Sequence, residues 1–383
     1  MGWVINAMAS VVSVMLNMDK WTAVWLCVTI AVVYAILSGF WGVVITDIVQ
    51  FFIAMFGSIA LAIIALNHVG GMDTLLQKLS SLLGTDIIHE NTLKFIPPIP
   101  DNSIGSLSFW ESPFSKFLIF ITVMWWSHHG TDGGGYIIQR MSSAKNEKHA
   151  LLATLWFNLA HYAVRVWPWI IVGVVSIVMF PVIPDSYSEL GTKAGYPLVM
   201  NMLLGPGMKG ILIVSFLAAF MSTIDTHLNW GASYIINDIY KRFFKPNESE
   251  KHYVIVSKII TVVLMILAAF TALKMQSISK AWAFIFSMGA GIGLVLILRW
   301  FWWRINAWSE ITALSTSIVI TLLLECLAWW QVSAKENAYS LFGTEPVLFG
   351  IQIQVHHKLI IIVPIAILSW LIATFITKPE PTE

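Results

Sequence analysis

Runs of roughly twenty apolar residues recur from one end of this chain to the other, the length a helix needs to cross a bilayer. In lipid every backbone polar group must be satisfied inside the segment, so such runs become helices or closed barrels, and runs of this length become helices. Composition agrees: 11% of the 383 residues are charged, against about a quarter in a soluble domain. The chain therefore reads as an all-α, polytopic membrane protein. Ten spans are expected, near 2–18, 21–40, 43–67, 116–139, 151–180, 209–240, 253–273, 281–303, 310–331 and 358–377. The long connections, 68–115 and 331–357, read as ordered surface loops. The formal net charge is +1, with no basic tract for nucleic acid. The two cysteines, Cys27 and Cys326, give no metal-ligand pair.

Orientation follows from where lysine and arginine sit in the loops. The connections "QRMSSAKNEKH", "YKRFFKPNESEKH" and "RWFWWR" hold four of the five arginines, Arg140, Arg242, Arg299 and Arg304. These are placed inside, which puts both ends of a ten-span chain in the cytoplasm. Tryptophans at span ends, among them Trp41, Trp300, Trp302, Trp303, Trp329 and Trp330, suit an interfacial belt.

Polar residues interrupt the apolar runs at helical spacing. Asn6, Ser10, Ser13 and Asn17 share a face of the first span, and Thr46, Asp47, Gln50, Ala54 and Ser58 a face of the third. On the sixth, "AFMSTIDTHLN", the face runs Ser215, Ala219, Ser222, Thr226, Asn229 and Ser233, flanked by Thr223 and His227. Small polar faces serve close helix packing or line a hydrated interior. The intramembrane carboxylates Asp47 and Asp225 favour the interior, because an unpartnered charge there costs several kcal/mol.

The fourth span reads "MWWSHHGTDGGGYIIQR". Its glycines predict a break that frees backbone groups, as at transporter binding sites, or a helix end near the inner surface. His128, His129 and Asp132 lack the spacing of a metal site, since adjacent histidines point to different sides of a helix. Arg165, in "HYAVRVWPW", needs an anion: Asp132 is the first expected partner, Asp225 the second, and an anionic solute the competitor. Glu325 stands isolated in "LLLECLAWW", read as a packing or interface residue. "SMGAGIG" in the eighth span pairs Gly289 with Gly293, a close-packing signal.

Three motifs, in order, now carry a resemblance. "VYAILSGFWGVVITDIVQFFI" resembles the glycine-rich "TD…Q" pattern of the sodium:solute symporter family. "GYIIQRMSSAKNEKHA" is similar to that family's "Q-R-x-x-A-A-K" signature, and "LAAFMSTIDTHLNWGASYIINDIYKRF" to its "S-[ST]…D-I-Y-[KR]" helix. The resemblance implies an inverted repeat of five plus five helices. Residues 1–306 would be the third to tenth core helices, and 307–383 two peripheral helices with a cytoplasmic tail. The chain would then lack the first two core helices, an N-terminal truncation that agrees with its apolar start at Met1.

The resemblance also implies sodium as coupling ion. The carbonyl of Ala219 and the hydroxyls of Ser222 and Thr223 would be ligands, with Asp47 belonging to coupling, and further ligands coming from the absent first helix. Asp47, Asp132 and Asp225 outnumber the core cation Arg165 by two, which suits a cation. Asn6, Ser10, Ser13, Gln50, Ser127, His128 and Asp132 are the candidate solute contacts. Direct transfer of the sugar carriers' pattern is unsafe, because "WWSHHGTDGGG" departs from it. The expected function is sodium-coupled symport of a small polar solute by alternating access, in a multi-pass protein of the cell (inner) membrane. No enzyme activity, organic cofactor or nucleic-acid partner is expected. The alternatives are a solute sensor on the same core signalling to a separate partner, and a membrane metalloenzyme built on the histidine pair.

Overall fold

The computed structural model describes residues 1–37, 40–85, 94–101, 104–131, 134–275, 277–333, 345–348 and 350–380. The α-helices in chain order are α1 (Gly2–Leu16), α2 (Lys20–Leu37), α3 (Phe40–Val69), α4 (Met72–Ser81), α5 (Leu107–Glu111), α6 (Pro113–Ile119), α7 (Trp125–Ser127), α8 (Gly134–Ser142) and α9 (Glu147–Asn158). They continue as α10 (Val166–Met179), α11 (Gly195–Leu203), α12 (Pro206–Tyr234), α13 (Glu250–Lys274), α14 (Ile278–Met288), α15 (Gly293–Leu298), α16 (Ala307–Ser333) and α17 (Val355–Ile376). Wider π turns occupy Phe120–Met124, Leu159–Val164 and Ile235–Phe244, and a 3-10 segment runs over Asp185–Ala194. One two-stranded antiparallel hairpin, β1 (Val347–Leu348) with β2 (Ile351–Gln352), precedes α17.

Among the described residues six helices are long and apolar enough to cross a membrane: Ile48–Val69, Glu147–Met179, Pro206–Phe244, Glu250–Lys274, Ala307–Val332 and Val355–Ile376. The first two expected spans form instead a pair bent by 115°. The turn between them rests on Asn17, held in the left-handed region (φ 52°, ψ 48°), which asparagine tolerates better than most side chains. The spans expected over 116–139 and 281–303 are also not continuous. Each is split at its glycines, as described below.

The chain forms two compact units. The first holds Met1–Ile88 and Leu159–Met275. In it Phe220, Ile224 and Leu228 of α12 pack with α1, α2 and α13 around Ile5, Cys27 and Met265. A second core joins α3, α4, α10 and α11 around Leu61, Val172 and Met200.

Polar groups fasten the end of α13 in this unit. Asn6 is buried, and its Nδ2 donates to the carbonyls of Ala272 (2.9 Å) and Met275 (3.0 Å). Lys20 Nζ donates to the carbonyls of Leu273 and Met275 at 3.2 and 3.0 Å. These carbonyls are the acceptors a helix leaves unmet at its C-terminus. Lys193 Nζ completes the cluster by donating to Asn6 Oδ1 at 3.1 Å. Burial, then the charge of Lys20, lowers the pKa of Lys193 from its usual value. Asn6→Leu strands a buried carbonyl of α13 and is expected to cost about 1–3 kcal/mol. An unfolding midpoint unchanged from wild type in detergent would show that the clamp contributes nothing.

The second unit holds His89–Asn158 and Gln276–Glu383. Its long pair, α16 and α17, is antiparallel with one register. Asn306 Nδ2 donates to Thr377 Oγ1 (2.8 Å), Ser309 meets Thr374 (2.7 Å), and Lys358 Nζ meets Glu325 Oε1 (2.9 Å). The last two contacts are sixteen positions apart on either helix. Ser309, Ala313, Ser317 and Thr321 line the seam at every fourth position, and all are fully buried. Small residues at this spacing let two helices approach closely in lipid. Glu325 is therefore not isolated, contrary to the sequence reading: it forms a buried ion pair, with the two side chains 8% and 11% exposed.

Candidate functional site

In the first unit the site face belongs to α12. Because Phe220, Ile224 and Leu228 are committed to the core, the 3.6-residue period turns Ala219, Ser222, Thr223 and Thr226 to another side. These four are partly or fully exposed. Thr223 Oγ1 donates to the carbonyl of Ala219 at 2.8 Å, and Thr226 Oγ1 to that of Ser222 at 3.0 Å. His227 Nδ1 lies 2.7 Å from the carbonyl of Thr223. The result is a line of hard oxygens along one helix face. Asp225 is buried on the same helix. Asp47 lies within α3, its side chain outside the described set, and Gln50 is half-buried one turn on.

The stripe on α1 has other commitments. Both amide hydrogens of Asn6 are bonded to the end of α13, and Ser10 Oγ donates to Asn6's own carbonyl at 2.9 Å. Ser13 is buried, and among the described residues its Oγ has no hydrogen-bond partner. Arg165 meets His161 Nε2 at 3.3 Å and lies 5.1 Å from the Trp169 ring. Asp132, its first expected partner, lies outside the described residues.

In the second unit the fourth expected span breaks after Ser127. His128 is extended (φ −91°, ψ 166°), and the helix resumes at Gly134, whose φ of +66° a residue with a side chain rarely adopts. Thr131 Oγ1 bonds the freed carbonyls of Trp126 (2.9 Å) and His128 (2.6 Å). His128 Nδ1 accepts the Gly130 N–H at 2.9 Å, which places a neutral ring's proton on Nε2. Ser127 is buried, and among the described residues its Oγ has no hydrogen-bond partner.

The eighth expected span breaks between α14 and α15, and its turn crosses the first break. A Cβ on Gly293 would collide with the carbonyl oxygen of Trp126 and lie 2.6 Å from the Ser127 carbonyl carbon. A Cβ on Gly289 would strike the His129 ring. The sequence signal for close packing was correct. Its partner, the broken backbone at 126–128, was not visible in it. Among the described residues no group of three or more His, Cys, Asp or Glu could hold a metal ion.

Broken helices that meet at their unwound turns form the binding sites of many secondary transporters. The comparisons give the family. The Sodium:solute symporter family profile matches residues 4–319, and the chain belongs to that family. It is 24% identical over 316 residues to the osmoregulated proline transporter OpuE of Bacillus subtilis, covering 80% of this chain and 57% of that one. It is 24% identical over 400 residues to the sodium/glucose cotransporter 1 of Sus scrofa, covering 97% and 58%. A solved structure of a sodium-coupled sialic acid symporter, substrate-bound and outward-open, aligns with a TM-score of 0.61 at 19% identity. That alignment covers 99% of this chain and 73% of the other, and shows a shared fold. The chain spans somewhat more than half the length of these two relatives.

Proposed function

We propose that the protein performs sodium-coupled symport of a small polar solute by alternating access, in the cell membrane, on an inverted five-plus-five helix core. The observation that carries the reading is the oxygen line on α12, where the Thr223 hydroxyl sits 2.8 Å from the Ala219 carbonyl. Sodium is a hard cation and suits carbonyl and hydroxyl oxygens. Its arrival needs only a rotation of the Thr223 O–H away from the Ala219 carbonyl, which frees lone pairs on both oxygens toward one ion. The Ser222 hydroxyl is on the same face, and Asp47 supplies negative charge from α3. The solute is assigned to the unwound turn after Ser127. There the buried Ser127 hydroxyl has an open hydrogen-bonding position, and the His128 Nε2–H is a donor.

The test is the double variant Ser222→Ala, Thr223→Ala. Each lost ligand to a desolvated ion should cost about 1–3 kcal/mol, by analogy with hydrogen bonds to charged groups. Two together should raise half-saturating sodium for uptake by roughly tenfold or more. Uptake by reconstituted double variant with an unshifted sodium dependence would remove the assignment.

A further inference from the structure

A cavity of about 340 Å³ opens at the bend between α1 and α2, facing the 3-10 segment. Ser13, Asn17, Asp19, Lys20, Asp185 and Glu189 are among its lining residues. It lies at the C-terminal end of α13, fastened by Lys20 and Asn6, whereas the basic connection 240–252 is at the other end. Twenty-five helical residues separate the two ends, about 37 Å at 1.5 Å per residue. The cavity is therefore on the membrane face opposite the basic loops, the external face by the positive-inside rule.

Three carboxylates against one ammonium leave the lining with two excess negative charges. Several of these groups are already engaged. Lys20 points its ammonium at the carbonyls of Leu273 and Met275, and Asp19 accepts from the backbone (2.9 Å) and hydroxyl (2.6 Å) of Thr22. Lys193 is held by Asn6. Asp185 and Glu189 are exposed. The second observation is Ser13. The residue lines this polar space and is 3% exposed, and among the described residues its hydroxyl has no hydrogen-bond partner. A buried hydroxyl without a partner is a net cost to folding, so a ligand in the cavity explains its presence better than packing does.

We propose that this cavity is an external site for a small monovalent cation, held with part of its water shell by Ser13, Asp185 and Glu189. The volume is far more than the ~10–15 Å³ that one water needs, so a hydrated ion fits and a tight dry cage does not form. A divalent ion would seek several carboxylates at once, and no such converging group exists among the described residues. Negative potential in such a cleft raises the local concentration of cations and their rate of arrival. The site is separate from the oxygen line on α12 and does not depend on it.

The experiment is a sodium titration of the purified full chain in detergent, at fixed ionic strength balanced with choline chloride, read as the thermal unfolding midpoint. The wild type should be stabilised by sodium, and by potassium in its place. Ser13→Ala should unfold no earlier than wild type in choline alone, because the lost hydroxyl had no partner. It should also shift the half-effective sodium concentration upward about threefold or more, the scale of one uncharged ligand. Asp185→Asn with Glu189→Gln, both at exposed positions, should do the same. Ser222→Ala with Thr223→Ala, which removes only the ligands proposed on α12, should keep the part of the sodium response that Ser13→Ala weakens. Loss of the response in that double variant, with retention in Ser13→Ala and Asp185→Asn/Glu189→Gln, would overturn the proposal. So would a wild type that responds to calcium but to neither monovalent ion.

Discussion

Lys358→Ala is expected to cost about 3–5 kcal/mol, the usual penalty for removing one partner of a buried ion pair. Glu325 would be left among apolar residues with its main counter-charge gone. Water cannot replace Lys358, since the two side chains are 8% and 11% exposed. The pair itself need not stabilise the fold, because the desolvation of both charges offsets much of their attraction. The double variant Lys358→Met, Glu325→Leu should therefore recover most of the loss. Folded yield and unfolding midpoint of the single and double variants in detergent check this. A double variant as poor as the single one would mean that the charges do something other than neutralise each other.

Gly293→Ala is the second large effect expected. Its new methyl would overlap the Trp126 carbonyl oxygen and lie 2.8 Å from that of His128, both backbone atoms that no rotamer change can move. Overpacking a tight site costs about 1–3 kcal/mol when side chains can yield, so a clash with backbone belongs at or above the top of that range. The expected result is loss of folded protein, or a folded protein whose break at 128 has shifted and which no longer binds solute. Gly210→Ala is the control. Nothing lies within 4 Å of its Cβ position inside α12. The same change there should be neutral or stabilising by about 0.4–1 kcal/mol. Equal behaviour of the two variants would show that the crossing is not close.

What the sequence disclosed follows the range of its signals. The apolar runs and the glycine interruption at 130–135 are local signals: six of the ten expected spans are helices long enough to cross a membrane among the described residues, and the other four are bent or broken. The bend after α1 was also marked, by Asn17, although the two spans were read as ordinary neighbours. Periodicity gave the polar face of α1 but not what it faces. Asn6 has the spacing of a cavity residue and is bonded to carbonyls of α13, more than 260 residues away. The same limit hid the partner of Glu325. Lys358 sits in the first turn of a different span, where a lysine is ordinarily read as reaching for the interface. The face of α12 was legible because its polar residues are contiguous and its packed residues alternate with them at helical period.

The single register of α16 and α17 governs how this pair can move. Its contacts recur every fourth residue, about 6 Å of helix rise. In this register Trp370 faces Ala313, so a slide by one such step would set it against Ser317 or Ser309, and any slide would pull Lys358 away from Glu325. A one-step slide would place the charges opposite apolar side chains. With a hydroxyl pair pinning one end and a charge pair the other, the hairpin has no low-energy intermediate positions along its length. In the proposed transport cycle it should travel as one stiff strut, swinging without shear, so a crosslink between the helices at Ser317 and Ala366 should leave turnover intact.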